Sequence, residues 1–133
     1  MKYLLDSNII IYHLNGEKIA SDFLSDNINR CAISRITYVE VLSFDFSEKE
    51  ASEVKELLDN FVVCDTNAAI GIQCLKNRRC QKIKIPDNFI AATAQINDLI
   101  LVTRNVGDFQ QLDIKILNIF AMKANDSWIY GTN

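Results

Sequence analysis

The sequence predicts an α/β domain built on a mainly parallel sheet, and three observations predict it. Five short apolar runs, KYLL (2–5), CAIS (31–34), FVVC (61–64), LILV (99–102) and IKIL (114–117), have the length of buried strands. Stretches of helical periodicity separate them, which is the pattern of strand–helix–strand units. The chain has 133 residues, 49% hydrophobic and 23% charged, enough to bury one core and ordinary for a soluble globular protein. A single domain spanning residues 1–133 is expected.

Each element has a local reason. KYLL ends at Asp6, and Ser7 or Asn8 is placed to cap a short helix through Leu14; residues 17–27 read as a second helix. After CAIS, residues 36–44 (ITYVEVLSF) read as an apolar helical segment. Ser47 with Glu50 forms a capping box. It opens an amphipathic helix whose stripe is Ala51, Val54, Leu57, Leu58 and Phe61. The Asp65/Thr66 pair is placed to cap a helix ending near Arg79. Pro86, the only proline, suits the first position of a helix ending near Asp98. LILV is the strongest strand, RNVGDF (104–109) reads as a turn, and the residues from Lys123 onward read as a frayed terminus.

Composition excludes several classes. The apolar N-terminus is broken by Asp6, Ser7 and Asn8 and lacks a small-residue cleavage site, so it does not read as a signal peptide. No segment approaches the roughly 20 apolar residues of a membrane span. A cytoplasmic protein with no membrane partner is expected. Cys31, Cys64, Cys74 and Cys80 form no CxxC pair and read as buried reduced thiols. With His13 the only histidine, zinc is not expected, and His13 reads as a half-buried packing residue. The net charge of −3 hides an asymmetry. Residues 76–84 (KNRRCQKIK) carry Lys76, Arg78, Arg79, Lys82 and Lys84 and no acid, whereas residues 45–59 carry six acids against Lys49 and Lys55. That split permits a polyanion-binding patch on an acidic protein, or two solvated helix faces.

Four acids occupy positions that surface decoration does not explain. In parallel sheets the ligand crevice lies beyond the carboxyl ends of the strands. Asp6 directly follows the first strand, and Asn105 and Asp108 follow LILVT. Glu40 sits mid-helix with Ile36, Thr37, Ser43 and Phe44. Asp87 stands in the first turn of KIPDNFIAATA (84–94), on the face of Ile90, Ala91 and Ala94, which should be buried. Each has a plain alternative: a helix cap at Asp6, a dipole partner at Asp87, a turn residue at Asp108, a hydrogen-bonded carboxylate at Glu40. As a set, the acids would raise one another's pKa unless neutralised. Mg²⁺ or Mn²⁺ prefers such hard oxygen ligands, keeps several waters, and can activate water against a phosphodiester.

The motifs LLDSNIIIY, ISRITYVEV, IPDNFIAATA and LILVTRNVGDF, in this order and spacing, resemble the PIN-domain family. Within it they look most like the VapC-like ribonuclease toxins of bacterial toxin–antitoxin pairs. The resemblance covers nearly the whole chain. It implies a three-layer α/β/α sandwich and an endoribonuclease with an acidic Mg²⁺/Mn²⁺ pocket. It implies that Asp6, Glu40 and Asp87 match the family's three core acids. The fourth acidic slot, two residues after the threonine of the TR motif, holds Asn105. Either Asn105 ligates through its amide oxygen or Asp108 supplies the charge. Ser7, Asn8 and Thr103 are implied to orient the carboxylates. Asn88 replaces the small or apolar residue usual beside Asp87. The resemblance also implies a small antitoxin whose C-terminal segment covers the active site, and a homodimer. Apolar faces within residues 9–24 and 47–60 are the candidate docking surfaces. The basic run leading into Asp87 is expected to guide the RNA backbone. Tyr12, Tyr38 and Phe109 read as core residues before base-stacking ones.

Other acid-bearing α/β folds fit less well. An aspartate-nucleophile phosphatase needs a second acid two residues after the first, where this chain has Asn8. A receiver-type phosphoacceptor domain uses a lysine near a late strand end, where this chain has Arg104. A PIN nuclease outside any toxin–antitoxin pair and a non-catalytic PIN-like binding module are the alternatives kept.

Overall fold

The computed structural model describes residues 1–121 and the short strand at 129–130. At its centre is a six-stranded sheet in the order β3 (Val62–Cys64), β2 (Cys31–Ser34), β1 (Tyr3–Leu5), β4 (Ile100–Val102), β5 (Ile116–Leu117), β6 (Ile129–Tyr130). The first five run parallel and β6 pairs antiparallel with β5. All five apolar runs become strands. β6 falls in the segment expected to be frayed, so that expectation is corrected at Ile129–Tyr130; the rest of the segment from Lys123 lies outside the described residues.

The helices are α1 (Ser7–Leu14), α2 (Lys18–Asn27), α3 (Arg35–Leu42), α4 (Glu48–Leu58), α5 (Ala68–Cys80) and α6 (Ile85–Ile96). The capping box forms at α4: Ser47 Oγ accepts the Glu50 N–H at 3.2 Å, and Glu50 Oε1 accepts the Ser47 N–H at 3.1 Å. Of the readings for the start of α1, the structure takes the cap at Asp6 rather than at Ser7 or Asn8, its Oδ1 accepting the Ser7 N–H at 2.7 Å. Contrary to expectation Asn67, not Asp65 or Thr66, caps α5, its Oδ1 accepting the Ile70 N–H at 3.0 Å, while Asp65 pairs with Arg35, Nε and Oδ1 2.6 Å apart. Pro86 sits in the first turn of α6, where its missing N–H costs nothing.

Side chains alternate across a strand, so each strand feeds two cores. Tyr3, Leu5, Cys31, Ile33, Val102 and Leu117 face one way and meet Ile9, Ile10, Leu24, Val41, Val54 and Leu58 of α1–α4. Leu4, Ala32, Leu101 and Ile116 face the other way and meet Ile90, Ala91 and Ala94 of α6, with Phe109 and Leu112. α5 covers the outside of α6, setting Ile70 and Cys74 against Ala92 and Phe89. The result is the expected three-layer α/β/α sandwich. Ala91, Ala92 and Ala94 are fully buried, and their small side chains let α6 lie close to both the sheet and α5.

All four cysteines are free, but only Cys31 and Cys74 are buried; Cys64 is half-buried and Cys80 exposed. His13 is half-buried with Nδ1 2.7 Å from Ser21 Oγ, which ties α1 to α2. No helix among the described residues is long and apolar enough to cross a membrane. The chain passes from β1 outward to β2 and β3, then returns to place β4 on the other side of β1. The carboxyl ends of β1 and β4 therefore border the switch point where such sheets open a crevice.

Candidate functional site

Asp6 stands at that switch point and is only 5% exposed. Its N–H donates to Val102 O at 2.9 Å, tying the end of β1 to the end of β4. Its Oδ2 accepts the Thr103 hydroxyl at 2.7 Å and, more loosely, Asn8 Nδ2 at 3.4 Å. Thr103 is fully buried, and its Oγ1 also accepts the Asn105 N–H at 3.0 Å. Burial pushes the Asp6 carboxyl up to about 6 from an ordinary 3.8. The Thr103 and Ser7 donors pull it down, and the charges of Asp87 and Glu40 push it further up.

Glu40 reaches the same place from α3. Its Oε1 accepts the Ser7 hydroxyl at 2.7 Å, and Ser7 Oγ lies 3.1 Å from Thr37 Oγ1. Thr37 is buried; its N–H donates to Ser34 Oγ, the cap of α3, at 3.0 Å, and the two hydroxyl oxygens lie 3.2 Å apart. A line of hydroxyls thus runs from the end of β2 to the Glu40 carboxylate. Ser34 and its part in this line were not expected; the available signal was the cap spacing of Ser34 and Thr37 around the start of α3.

Asp87 is half-buried in the first turn of α6. Burial raises its carboxyl above the usual range, Asp108 and Glu40 raise it further, and the Lys84 ammonium lowers it. Asp6 therefore senses the charges of Asp87 and Glu40, and Asp87 senses those of Asp108 and Glu40. Asp108 closes the 3-10 turn Val106–Asp108, with its backbone oxygen accepting Gln81 Nε2. An open cleft of about 350 Å³ is lined by Asp87, Asp108, Gln81, Lys82, Ile83 and Lys84. Asn105 is exposed and contributes backbone groups: its N–H to Thr103 and its carbonyl to the Asp108 N–H at 3.1 Å. Of the two candidates for the fourth slot, Asp108 is the one whose charge reaches Asp87.

Among the described residues the acids have no cationic partner in contact. The ion pairs among the described residues are Lys18–Asp22, Arg35–Asp65 and Lys55–Asp59, all elsewhere. Asn8 Oδ1 is buried without a hydrogen-bond partner among the described residues. Carboxylate, amide and hydroxyl oxygens are the donor set that suits a hard divalent cation rather than zinc. No three His, Cys, Asp or Glu side chains among the described residues stand close enough to hold an ion unaided. Mg²⁺ and Mn²⁺ keep several waters when bound, so such an ion needs fewer direct protein ligands.

The basic run is less uniform than its sequence suggests. Lys82 and Lys84 line the cleft beside Asp87, and Arg78 joins them around Ile83 and Ile85. With about 3.6 residues per turn, and Cys74 and Asn77 facing α6, Arg79 points away on the far side of α5 and Lys76 on a flank opposite Arg78. Asn88 turns from the acids towards α5. Its Oδ1 accepts Asn77 Nδ2 and its Nδ2 donates to Cys74 O, each at 3.0 Å. Phe109 is a core residue at 1% exposure, and Tyr38 lies under the Arg35 guanidinium at 4.9 Å.

The profile of the PIN domain matches residues 3–115. Ribonuclease VapC10 of Mycobacterium tuberculosis is 33% identical over 117 residues, covering 83% of this chain and 87% of that protein. Ribonuclease VapC2 of Haemophilus influenzae is 28% identical over 123 residues, covering 84% and 92%. Among solved structures, a toxin–antitoxin complex from Klebsiella pneumoniae superposes with a TM-score of 0.81 at 29% identity, covering 91% of this chain and all of that one. FitAcB from Neisseria gonorrhoeae shares the fold, with a TM-score of 0.79 at 22% identity over 90% of this chain and 99% of that one. With the sheet order, the acids at its switch point and the profile all in agreement, the chain belongs to the PIN domain family.

Proposed function

We propose that this single-domain protein is a Mg²⁺- or Mn²⁺-dependent endoribonuclease and the toxin of a toxin–antitoxin pair, acting in the cytoplasm. One observation carries it: the carboxylates of Asp6, Glu40 and Asp87 come together at the sheet's switch point with no basic side chain in contact among the described residues, so that Glu40 and Asp87 push the buried Asp6 carboxyl up. Asp6 and Asp87 are the principal metal-holding groups, with Glu40 as a further ligand or the group that positions the attacking water. Asp108 supplies the fourth charge and Asn105 serves through its backbone. When bound, the ion lowers the pKa of water and offsets charge developing on the phosphodiester. The protein's own contribution is to fix the donors. Thr103 and the Ser7 N–H hold Asp6, the Ser7 hydroxyl holds Glu40, and Asn8 packs beside Asp6 and Thr103. Lys82, Lys84 and Arg78 attract RNA phosphates at the cleft, while Lys76 and Arg79 add a weaker, longer-range pull.

The ribonuclease names of the curated relatives and the toxin–antitoxin complex from Klebsiella support the substrate and an antitoxin partner. A homodimer is part of the same reading. The test is incubation of purified protein with total RNA and Mg²⁺ or Mn²⁺, with and without EDTA, beside Asp6→Asn and Asp87→Asn. Cleavage is expected only for the wild type with metal. Cleavage that survives EDTA or either substitution sinks the metal-carboxylate mechanism, and binding of RNA without cleavage points to a non-catalytic module.

A further inference from the structure

Arg104 immediately follows Thr103, the residue that holds Asp6, yet it takes no part in the acid network. Its guanidinium carbon lies 5.1 Å from the centre of the Tyr12 ring and 4.4 Å from that of Phe120. Those two rings brace each other edge to face at 5.0 Å. Arg104 is exposed, and no carboxylate among the described residues pairs with it. An arginine held on two aromatic faces loses little further freedom on binding, and its planar fork of N–H donors suits a phosphate. Surface arginines without a role usually sweep through solvent or find an acid; this one is stacked on two rings and, among the described residues, keeps its charge unpaired.

Its position gives the fixed charge a use. Tyr12 belongs to α1 and Phe120 packs on the same core, on one face of the sheet. Lys82 and Lys84 flank Ile83, which packs into the core on the opposite face. Asp6 lies at the carboxyl end of β1 between them, with Glu40 reaching in from α3 and Asp87 from α6. A polyanionic strand crossing that edge meets a cation on each side of the acidic pocket, and the pocket itself would repel it without them.

We infer that Arg104, braced by Tyr12 and Phe120, is a phosphate-binding residue that holds the RNA strand on the α1 side of the pocket. The inference rests on the ribonuclease reading above. The experiment is anisotropy of an uncleavable 2′-O-methyl oligoribonucleotide, titrated with wild type, Arg104→Gln and Arg104→Lys in Mg²⁺ across a salt series. Arg104→Gln is expected to bind roughly tenfold more weakly. Its plot of log affinity against log salt should flatten by about 0.7, the loss of one phosphate contact to a single strand. Arg104→Lys should keep the wild-type slope, because it keeps the charge, yet bind less tightly, because it loses the planar fork. In cleavage, Arg104→Gln should raise KM and leave kcat unchanged. Wild-type binding with an Arg104→Gln variant of equal affinity and slope overturns the role of Arg104. A wild type that neither binds nor cleaves RNA overturns the ribonuclease reading itself, so the two failures are distinguishable.

Discussion

Replacing Asp6 by asparagine removes a charge that the fold must otherwise desolvate. The carboxyl is 5% exposed, has no basic side chain in contact among the described residues and is held at about 6 against an ordinary 3.8. For an acid raised in the folded state, the fold favours the protonated form. The stabilisation is complete below the unfolded pKa near 4 and is lost as pH rises through 6. The gap corresponds to roughly 3 kcal/mol between those limits. Asparagine does not titrate, its carbonyl oxygen can still accept the Ser7 N–H, and the Thr103 hydroxyl can rotate to accept from its amide. The stability of Asp6→Asn relative to wild type should therefore improve by roughly 3 kcal/mol from about pH 4 to about pH 7.5. The assay is urea unfolding of both proteins in EDTA at several pH values, comparing midpoints at equal slopes. Adding Mg²⁺ at neutral pH should then stabilise the wild type and leave the variant unmoved, since only a state that binds the ion gains from it. A difference that is flat with pH, or a variant that becomes relatively less stable as pH rises, refutes the reasoning. The Ser7 and Thr103 hydrogen bonds to the charged form would then outweigh its desolvation.

Other substitutions separate the roles of neighbouring groups. Lys84→Gln removes a charge that lowers the Asp87 carboxyl, so its pH–activity profile should shift to higher pH and its KM for RNA should rise, while urea stability stays near wild type. Asn88→Ala leaves one Asn77 N–H buried without its acceptor and should cost roughly 1–3 kcal/mol, read by urea unfolding; a neutral result would mean that α5 and α6 repack without the amide lock. Ser47→Ala removes the capping box of α4 and should cost about 1 kcal/mol with no change in RNA cleavage, which urea titration and a cleavage assay check together.

What was legible in the sequence and what was not divides by range. The strands were legible because alternate residues of each three- or four-residue run face two separate cores, so nearly every position is apolar. The α6 face was legible because Ile90, Ala91 and Ala94 repeat at helical spacing, and that spacing also carries Asp87 to the edge of the buried face. Asp6 shows why the plain and the functional readings of an acid need not compete: it caps α1 through Oδ1 while Oδ2 faces Thr103. The cap of α5 was not legible. Asp65, Thr66 and Asn67 are all capping types, and the structure puts the cap at Asn67 while Arg35, remote in sequence, takes Asp65. The fourth acid was ambiguous for the same reason, since the turn after β4 decides whether the Asn105 or the Asp108 side chain reaches Asp87. Asn88 could be marked as unusual, but its partners Asn77 and Cys74 belong to a different helix.

The way the acids are held explains how such a pocket persists. A basic side chain placed against Asp6 or Glu40 would stabilise the carboxylate more than a hydroxyl does, and it would also cancel the charge that attracts a divalent cation. This chain uses neutral donors instead: the Ser7 N–H and Thr103 hydroxyl on Asp6, the Ser7 hydroxyl on Glu40. Neutral donors fix position and leave the charge intact, so part of the desolvation cost stays in the folded protein as the raised Asp6 and Asp87 carboxyls. Among the described residues the cations lie at the rim, where Lys84 lowers Asp87 from a distance and Arg104 stacks on Tyr12 and Phe120. A negative centre between positive flanks can attract a metal ion and still admit a phosphodiester strand. A pocket neutralised from within could do neither, which is why the pH-dependent instability predicted for the metal-free protein and its affinity for a divalent ion should disappear together in Asp6→Asn.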